Sequence, residues 1–393
     1  MISDSGDLAL VLGGGGARAA YQVGFLRALG RMFPDLQVPI LTGVSAGAIC
    51  AAFLANHPGS LREASEELAE LWSKLTVERV FKSDTGSLAS NVFRWSVRLI
   101  SGGVRIAPPT RGMVDTSPLR DFLLDVFKSK DGSLPGVERN LASGKLRSLA
   151  ITTTKYATNQ SISWVQSGVE GDWVRPQRRS VHAKIRIEHV LASCALPIFF
   201  PAIQIGEDWH GDGGIRLTTP LAPALHLGAQ RLIAISTRYE HAQGEIERPK
   251  IEGYPPPAMI LGVMLSSIFL DMLDQDAMNM QRLNELLAEL PPEKHRSLRP
   301  AGLLLLRPSQ DIGRLASAYE PTLPPMFRFL TRGLGTRETQ RPDSLSMVLF
   351  QPEYAKRLID IGQADAERRA DEIRAFVSGE SRPAIAQTGF WRI

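Results

Sequence analysis

Ser45 stands between two glycines in Gly43-Val44-Ser45-Ala46-Gly47, where an extended run, Val38-Pro39-Ile40-Leu41-Thr42, gives way to a small-residue helix from Ala46 to Ala55. A strand that turns sharply into a helix holds a serine in a tight corner, and Gly43 and Gly47 remove the Cβ atoms that would block that corner. The N–H groups that follow open a helix, so its positive end faces any charge building up on the serine oxygen. This is how a nucleophile is built. The same five residues also suit a plain strand-to-helix turn with a capping serine.

Two other clusters carry chemistry. Gly13-Gly14-Gly15-Gly16-Ala17-Arg18 follows the apolar run Leu8 to Leu12, and successive glycines let a backbone turn its N–H groups toward an anion, as phosphate loops and oxyanion holes both require. Gly14-x-Gly16-x-x-Ala19 also spells a dinucleotide pattern, but Thr42-Gly43-Val44-Ser45 replaces the acidic residue that the second strand should end on. Asp212 lies in Trp209-His210-Gly211-Asp212-Gly213-Gly214, a turn residue or a base; His210, two residues earlier, offers a conventional histidine partner for Ser45 instead. Arg18 orients the glycine loop, meets a lipid phosphate, or is a surface residue of a first helical turn. Cys50 and Cys194 form no disulfide framework, and no His/Cys/carboxylate group has ligand spacing, so neither metal nor cofactor is expected.

The elements that must position these groups alternate. Strands are expected at Leu8–Leu12, before Ser45, at Leu146–Tyr156, Ser161–Gln166, Ala229–Ser236 and Leu303–Leu306. Helices are expected at Ala19–Leu29, Ala46–Ala55, Ser60–Leu75, Pro255–Leu290 and Pro352–Val377. Such alternation argues a mostly parallel sheet covered on both faces. The 393 residues, 44% apolar and 22% charged with net charge +4, exclude disorder as the default and point to no particular partner. Arg79 to Arg111 is different: six cations against Asp84 alone, interleaved with Phe81, Phe93 and Trp95, suit a membrane surface or a solvated flap better than nucleic acid. The apolar run Met259 to Leu270 is too short for a bilayer span, which needs about 20 residues. Gly333 to Asp343 reads as a polar loop. The N-terminus lacks a basic export signal, so the expected location is cytoplasmic.

The glycine run, the serine corner, Ala192-Ser193-Cys194-Ala195-Leu196-Pro197 and Asp212-Gly213-Gly214, in that order, resemble the patatin-like lipid acyl hydrolases. The resemblance covers roughly the first 240 residues well and departs at Ala19 and at Thr218-Thr219-Pro220. It implies a three-layer α/β/α sandwich, a Ser45–Asp212 dyad without histidine, and an oxyanion hole made by Gly14, Gly15 and Gly16. Residues 1–240 would form the catalytic core with the 79–111 flap inserted, and 241–393 a helical extension with one more strand, packed on the same domain. The substrate implied is a membrane phospholipid or another acyl ester, met in peripheral contact with the inner face of a membrane. No nucleic acid is expected, and homo-oligomers are compatible. A soluble esterase or thioesterase, and a non-catalytic nucleotide- or lipid-binding module, are the alternatives.

Overall fold

The computed structural model describes residues 8–101, 111–168, 171–240, 254–336, 339 and 343–379. Ten strands form one sheet: β1 Leu8–Leu12, β2 Ile40–Val44, β3 Ser148–Lys155, β4 Gln160–Ser167, β5 Val174–Arg175, β6 Arg178–His182, β7 Ile203–Ile205, β8 Asp208–Asp212, β9 Arg231–Ile235 and β10 Gly302–Leu306. The main order is β10-β9-β1-β2-β3-β4-β6-β5, with β8 on β3 and β7 on β8. The five strands from β10 to β3 run parallel, and β3–β4, β3–β8, β7–β8 and β5–β6 are antiparallel, so the sheet is mixed but mostly parallel.

Alternation explains the layers. In β1, Leu8, Leu10 and Leu12 enter the larger core, whereas Ala9 and Val11 enter the smaller one on the opposite face. β9 and β10 split the same way, Ile233 and Leu304 to one side, Leu232 and Leu303 to the other. Both faces are therefore buried, which is why these strands read as continuous apolar runs. The larger core lies under the helices Ala19–Met32, Ala46–Asn56, Leu61–Ser73 and Pro352–Arg368; the smaller lies under Met272–Glu289. The expected three-layer α/β/α architecture is present.

Three expectations need correction. The single helix expected over Pro255–Leu290 is two, Pro257–Phe269 and Met272–Glu289. It breaks at Leu270 and Asp271, where Arg238 pairs with Asp271 at 2.9 Å and with Asp274 at 2.7 Å, drawing the charged helix off the apolar axis. The terminal helix likewise divides, after Arg368. The basic flap contains a helix, Thr85–Ile100, in which Phe93 is exposed but Trp95 is half-buried, so only one of the two aromatics stands out to solvent. Arg105, and residues 337, 338 and 340–342 of the expected polar loop, lie outside the described residues.

Candidate active site

β2 and β8 share one edge of β3. β2 pairs in parallel with Ser148–Thr152, ending at Val44 opposite Thr152; β8 pairs antiparallel with Thr153–Lys155, its last residue, Asp212, opposite Thr153. The two strands thus meet end to end, and the residues at their carboxyl ends, Ser45 and Asp212, converge from positions 167 apart in the chain.

Ser45 occupies the sharp corner with φ 54° and ψ −133°, a region that side chains rarely adopt. Its surroundings hold it there. The Ser45 N–H donates to Ser193 Oγ at 2.9 Å, that hydroxyl donates to the Thr152 carbonyl at 2.7 Å, and the Cys194 thiol donates to the Ser45 carbonyl at 2.9 Å. Ser193 and Cys194 belong to a quoted motif, yet bracing the corner is a task that sequence reasoning did not give them. Gly47 allows the helix Ala46–Asn56 to start against β1, since a Cβ there would strike the Leu12 and Gly13 carbonyls. Gly43 meets the same helix closely.

Asp212 is fully buried. Its Oδ1 accepts the Gly214 N–H at 2.8 Å, while Oδ2 is buried without a hydrogen-bond partner. Burial pushes the carboxyl up to about 7, with the nearby Ser45 hydroxyl and the Gly214 N–H opposing that rise. Gly213 lies against the Thr152 carbonyl and Gly214 against the Phe269 ring, so neither position has room for a side chain. His210 turns elsewhere: its Nδ1 lies 3.0 Å from Thr153 Oγ1, which already accepts the Trp164 indole N–H at 2.8 Å. Burial lowers the pKa of the His210 ring and favours its neutral form.

The glycine loop borders Ser45. A Cβ on Gly14 would lie 3.1 Å from that of Ser45, and Gly15 and Gly16 line the same cavity as the serine. The Gly13 carbonyl accepts from Gln22 Nε2 at 2.9 Å and the Gly14 carbonyl from Thr237 Oγ1 at 3.0 Å. Because C=O and N–H point oppositely across a trans peptide, these bonds turn the Gly14 and Gly15 amides away from Gln22 and Thr237. Gly16, at φ 58°, sits against the Met347 carbonyl where a side chain would collide. Arg18 is buried rather than displayed. Its Nε donates to Ser346 Oγ at 2.7 Å and its guanidinium pairs with Asp343, a strut between the glycine loop and the helix Asp343–Val348 that fits the loop-orienting reading of Arg18 and not the surface one.

Ser45 lines a cavity walled by apolar side chains, including Ile49, Phe53, Leu68, Trp72, Leu119 and Phe200. Leu68, Leu71 and Leu75 recur at helical spacing along one face; Leu68 and Leu75 belong to the larger core, and all three also line this cavity. Among the described residues no group of three or more His, Cys, Asp or Glu could hold a metal ion.

Comparison with known proteins gives several similar structures and one family. Human GIVD cytosolic phospholipase A2 is similar at 14% identity, with a TM-score of 0.48 over 96% of this chain and 61% of that one. Its complex with methyl gamma-linolenyl fluorophosphonate gives 14% and 0.43 over 95% and 59%. VipD from Legionella pneumophila gives 11% and 0.36 over 93% and 67%. The chain spans about three fifths of the human structures' length. Among curated proteins none matches. The model of one family, Patatin-like phospholipase, matches residues 10–225, more than half of the sequence, and on that match the chain belongs to the patatin-like phospholipase family.

Proposed function

We propose that this chain is a serine acyl hydrolase that cleaves ester bonds of phospholipids or related lipids, with Ser45 as nucleophile and Asp212 as its base. The observation that carries the reading is the buried Asp212, its Oδ2 free of any hydrogen-bond donor in the described fold, beside a Ser45 that lines an apolar cavity. A carboxyl held near 7 is matched to taking a proton at neutral pH, as an ordinary aspartate near 3.9 is not. In this reading Asp212 accepts the Ser45 proton and the serine oxygen attacks the ester carbonyl. The Gly14, Gly15 and Gly16 amides and the start of Ala46–Asn56 receive the oxyanion. Asp212, now protonated, gives its proton to the leaving alkoxide; water, deprotonated by the same carboxylate, then frees the acyl group. The engagement of His210 with Thr153 favours the aspartate over the histidine as partner. We read 241–393 as part of the same catalytic unit as 1–240, because β10 pairs with β9 and Asp343 holds Arg18. Contact with a membrane is part of the proposal and is supported by the exposed apolar side chains of Pro257–Phe269, whose last residue lines the cavity.

A fluorophosphonate probe should label wild-type protein on Ser45. Ser45→Ala should lose labelling and at least 10⁴-fold of ester turnover while retaining its melting temperature. Equal turnover by the variant would overturn the assignment.

A further inference from the structure

The helix that begins after Ser45 lines the cavity, and the reach of the cavity along it can be read from the residues that face it. Ala46, Ile49 and Phe53 face it from Ala46–Asn56, three and seven residues along one side. From Ser45 to Phe53 that helix rises about 12 Å at ~1.5 Å per residue. An extended hydrocarbon advances ~1.25 Å per carbon, from bonds of ~1.5 Å meeting at about 111°. The Phe53 side chain leans back toward the helix start and shortens the run by a carbon or two. Its ring is 4% exposed and wedged between neighbours, with centroids 5.8 Å from His57 and 6.4 Å from Phe127. Leu68 and Trp72, both buried, line the same cavity.

Building on the acyl hydrolase reading, we propose that Phe53 is the floor of the acyl site and that it sets the preferred acyl group at about eight to ten carbons. Each methylene up to that length leaves water for apolar wall; each beyond it has to displace a ring packed on both sides.

The test is kcat/KM on monomeric p-nitrophenyl esters from acetyl to tetradecanoyl, with fluorophosphonate labelling of Ser45 measured in parallel on every variant. Wild type should gain up to about fourfold per methylene, reach its maximum at octanoyl to decanoyl, and fall about tenfold or more by tetradecanoyl. Phe53→Ala should move the maximum two to four carbons longer, roughly the depth of the deleted ring, and Ile49→Phe should move it to hexanoyl or shorter. Phe53→Leu replaces Phe53→Ala if the latter does not fold. A wild-type profile still climbing at tetradecanoyl, or one maximum shared by all labelled variants, overturns the floor. Absence of labelling in wild type overturns the hydrolase reading and the floor with it.

Discussion

At the residue scale the molecule turns on one carboxyl whose charge is disfavoured. Asp212 binds its proton more tightly in the fold, near 7, than in an unfolded chain, near 3.8. The folded state therefore holds more protons between about pH 4 and 7, and stability declines as pH rises through that window. In the proposed mechanism activity runs the other way, because only the carboxylate accepts the serine proton. We expect kcat/KM to drop about tenfold per pH unit below a limb near 7. Asp212→Asn keeps the shape and the Gly214 bond but cannot take the proton, so it should lose activity nearly as far as Ser45→Ala. It should also melt above wild type at pH 8, with the gap closing toward pH 4. A pH–rate profile flat from 5 to 8, or an Asp212→Asn protein no more stable at pH 8 than wild type, contradicts the buried-base account. Ser45 and Asp212 were legible from their glycine neighbours, whose absence of side chains is a local property. The proton affinity of Asp212 was not, because it comes from burial beneath elements far away in the chain.

At the scale of elements, the parts that hold the chemistry come from far apart. Gly13 to Arg18 announce a ligand-facing loop, and the structure adds what fixes it: Gln22, Thr237 from the end of β9, and Asp343 and Ser346 through Arg18. A bond across 325 residues leaves no periodicity to detect, and the end-to-end docking of β2 and β8 on β3 is equally silent in sequence. Apolar patterning exposed β1 to β4, β9 and β10 and the helices that cover the larger core, but not the short strands β5 to β8 or the helices Thr85–Ile100, Ser117–Val126 and Pro135–Ala142. The break at Leu270 and Asp271 escaped it because it rests on tertiary pairing with Arg238, with neither proline nor glycine to mark it. The Arg18 strut makes an asymmetric prediction. Asp343→Ala strands a guanidinium whose side chain is only 3% exposed, a loss of about 3 kcal/mol or more, whereas Arg18→Met fills the space and leaves Asp343 partly hydrated. Arg18→Met should therefore be the milder change in denaturant unfolding, and the double variant should be close to it rather than to the sum. Both single variants should lower kcat 10- to 100-fold with KM changed little, as expected when oxyanion donors lose their aim. Additive destabilisation, or full kcat in both, removes the strut.

At the scale of the whole molecule, the question is how a lipid reaches a serine that is itself buried. Pro257–Phe269 has no charged residue, buries only Ala258 and Gly262, and exposes Ile260, Leu261, Val263 and Met264. At thirteen residues it is by itself about 20 Å long, short of the ~30 Å hydrocarbon core and suited to lying on a membrane; only counted together with Met272–Glu289 does the stretch reach a spanning length. Its last residue, Phe269, packs on Gly214 and lines the cavity, which ties the exposed apolar face to the site. Exposed Phe93 on Thr85–Ile100, with Arg94 and Arg98 nearby in sequence, supplies a second apolar and cationic element. Charge and apolar contact then make separable predictions. Arginines near an anionic surface contribute about 1 kcal/mol each, so Arg94→Gln/Arg98→Gln should weaken binding to anionic vesicles by roughly tenfold or more, an effect that fades at high salt. Val263→Asp/Met264→Asp places two carboxylates where apolar side chains meet lipid, and should reduce binding to neutral vesicles with little salt dependence and to anionic vesicles further, that added repulsion fading at high salt. Sedimentation with the two vesicle types at two salt concentrations separates the terms, and turnover of a soluble short ester in the same samples reports whether the site itself is intact. Wild-type binding by Val263→Asp/Met264→Asp would leave Pro257–Phe269 a face turned to water and move the route of lipid entry elsewhere.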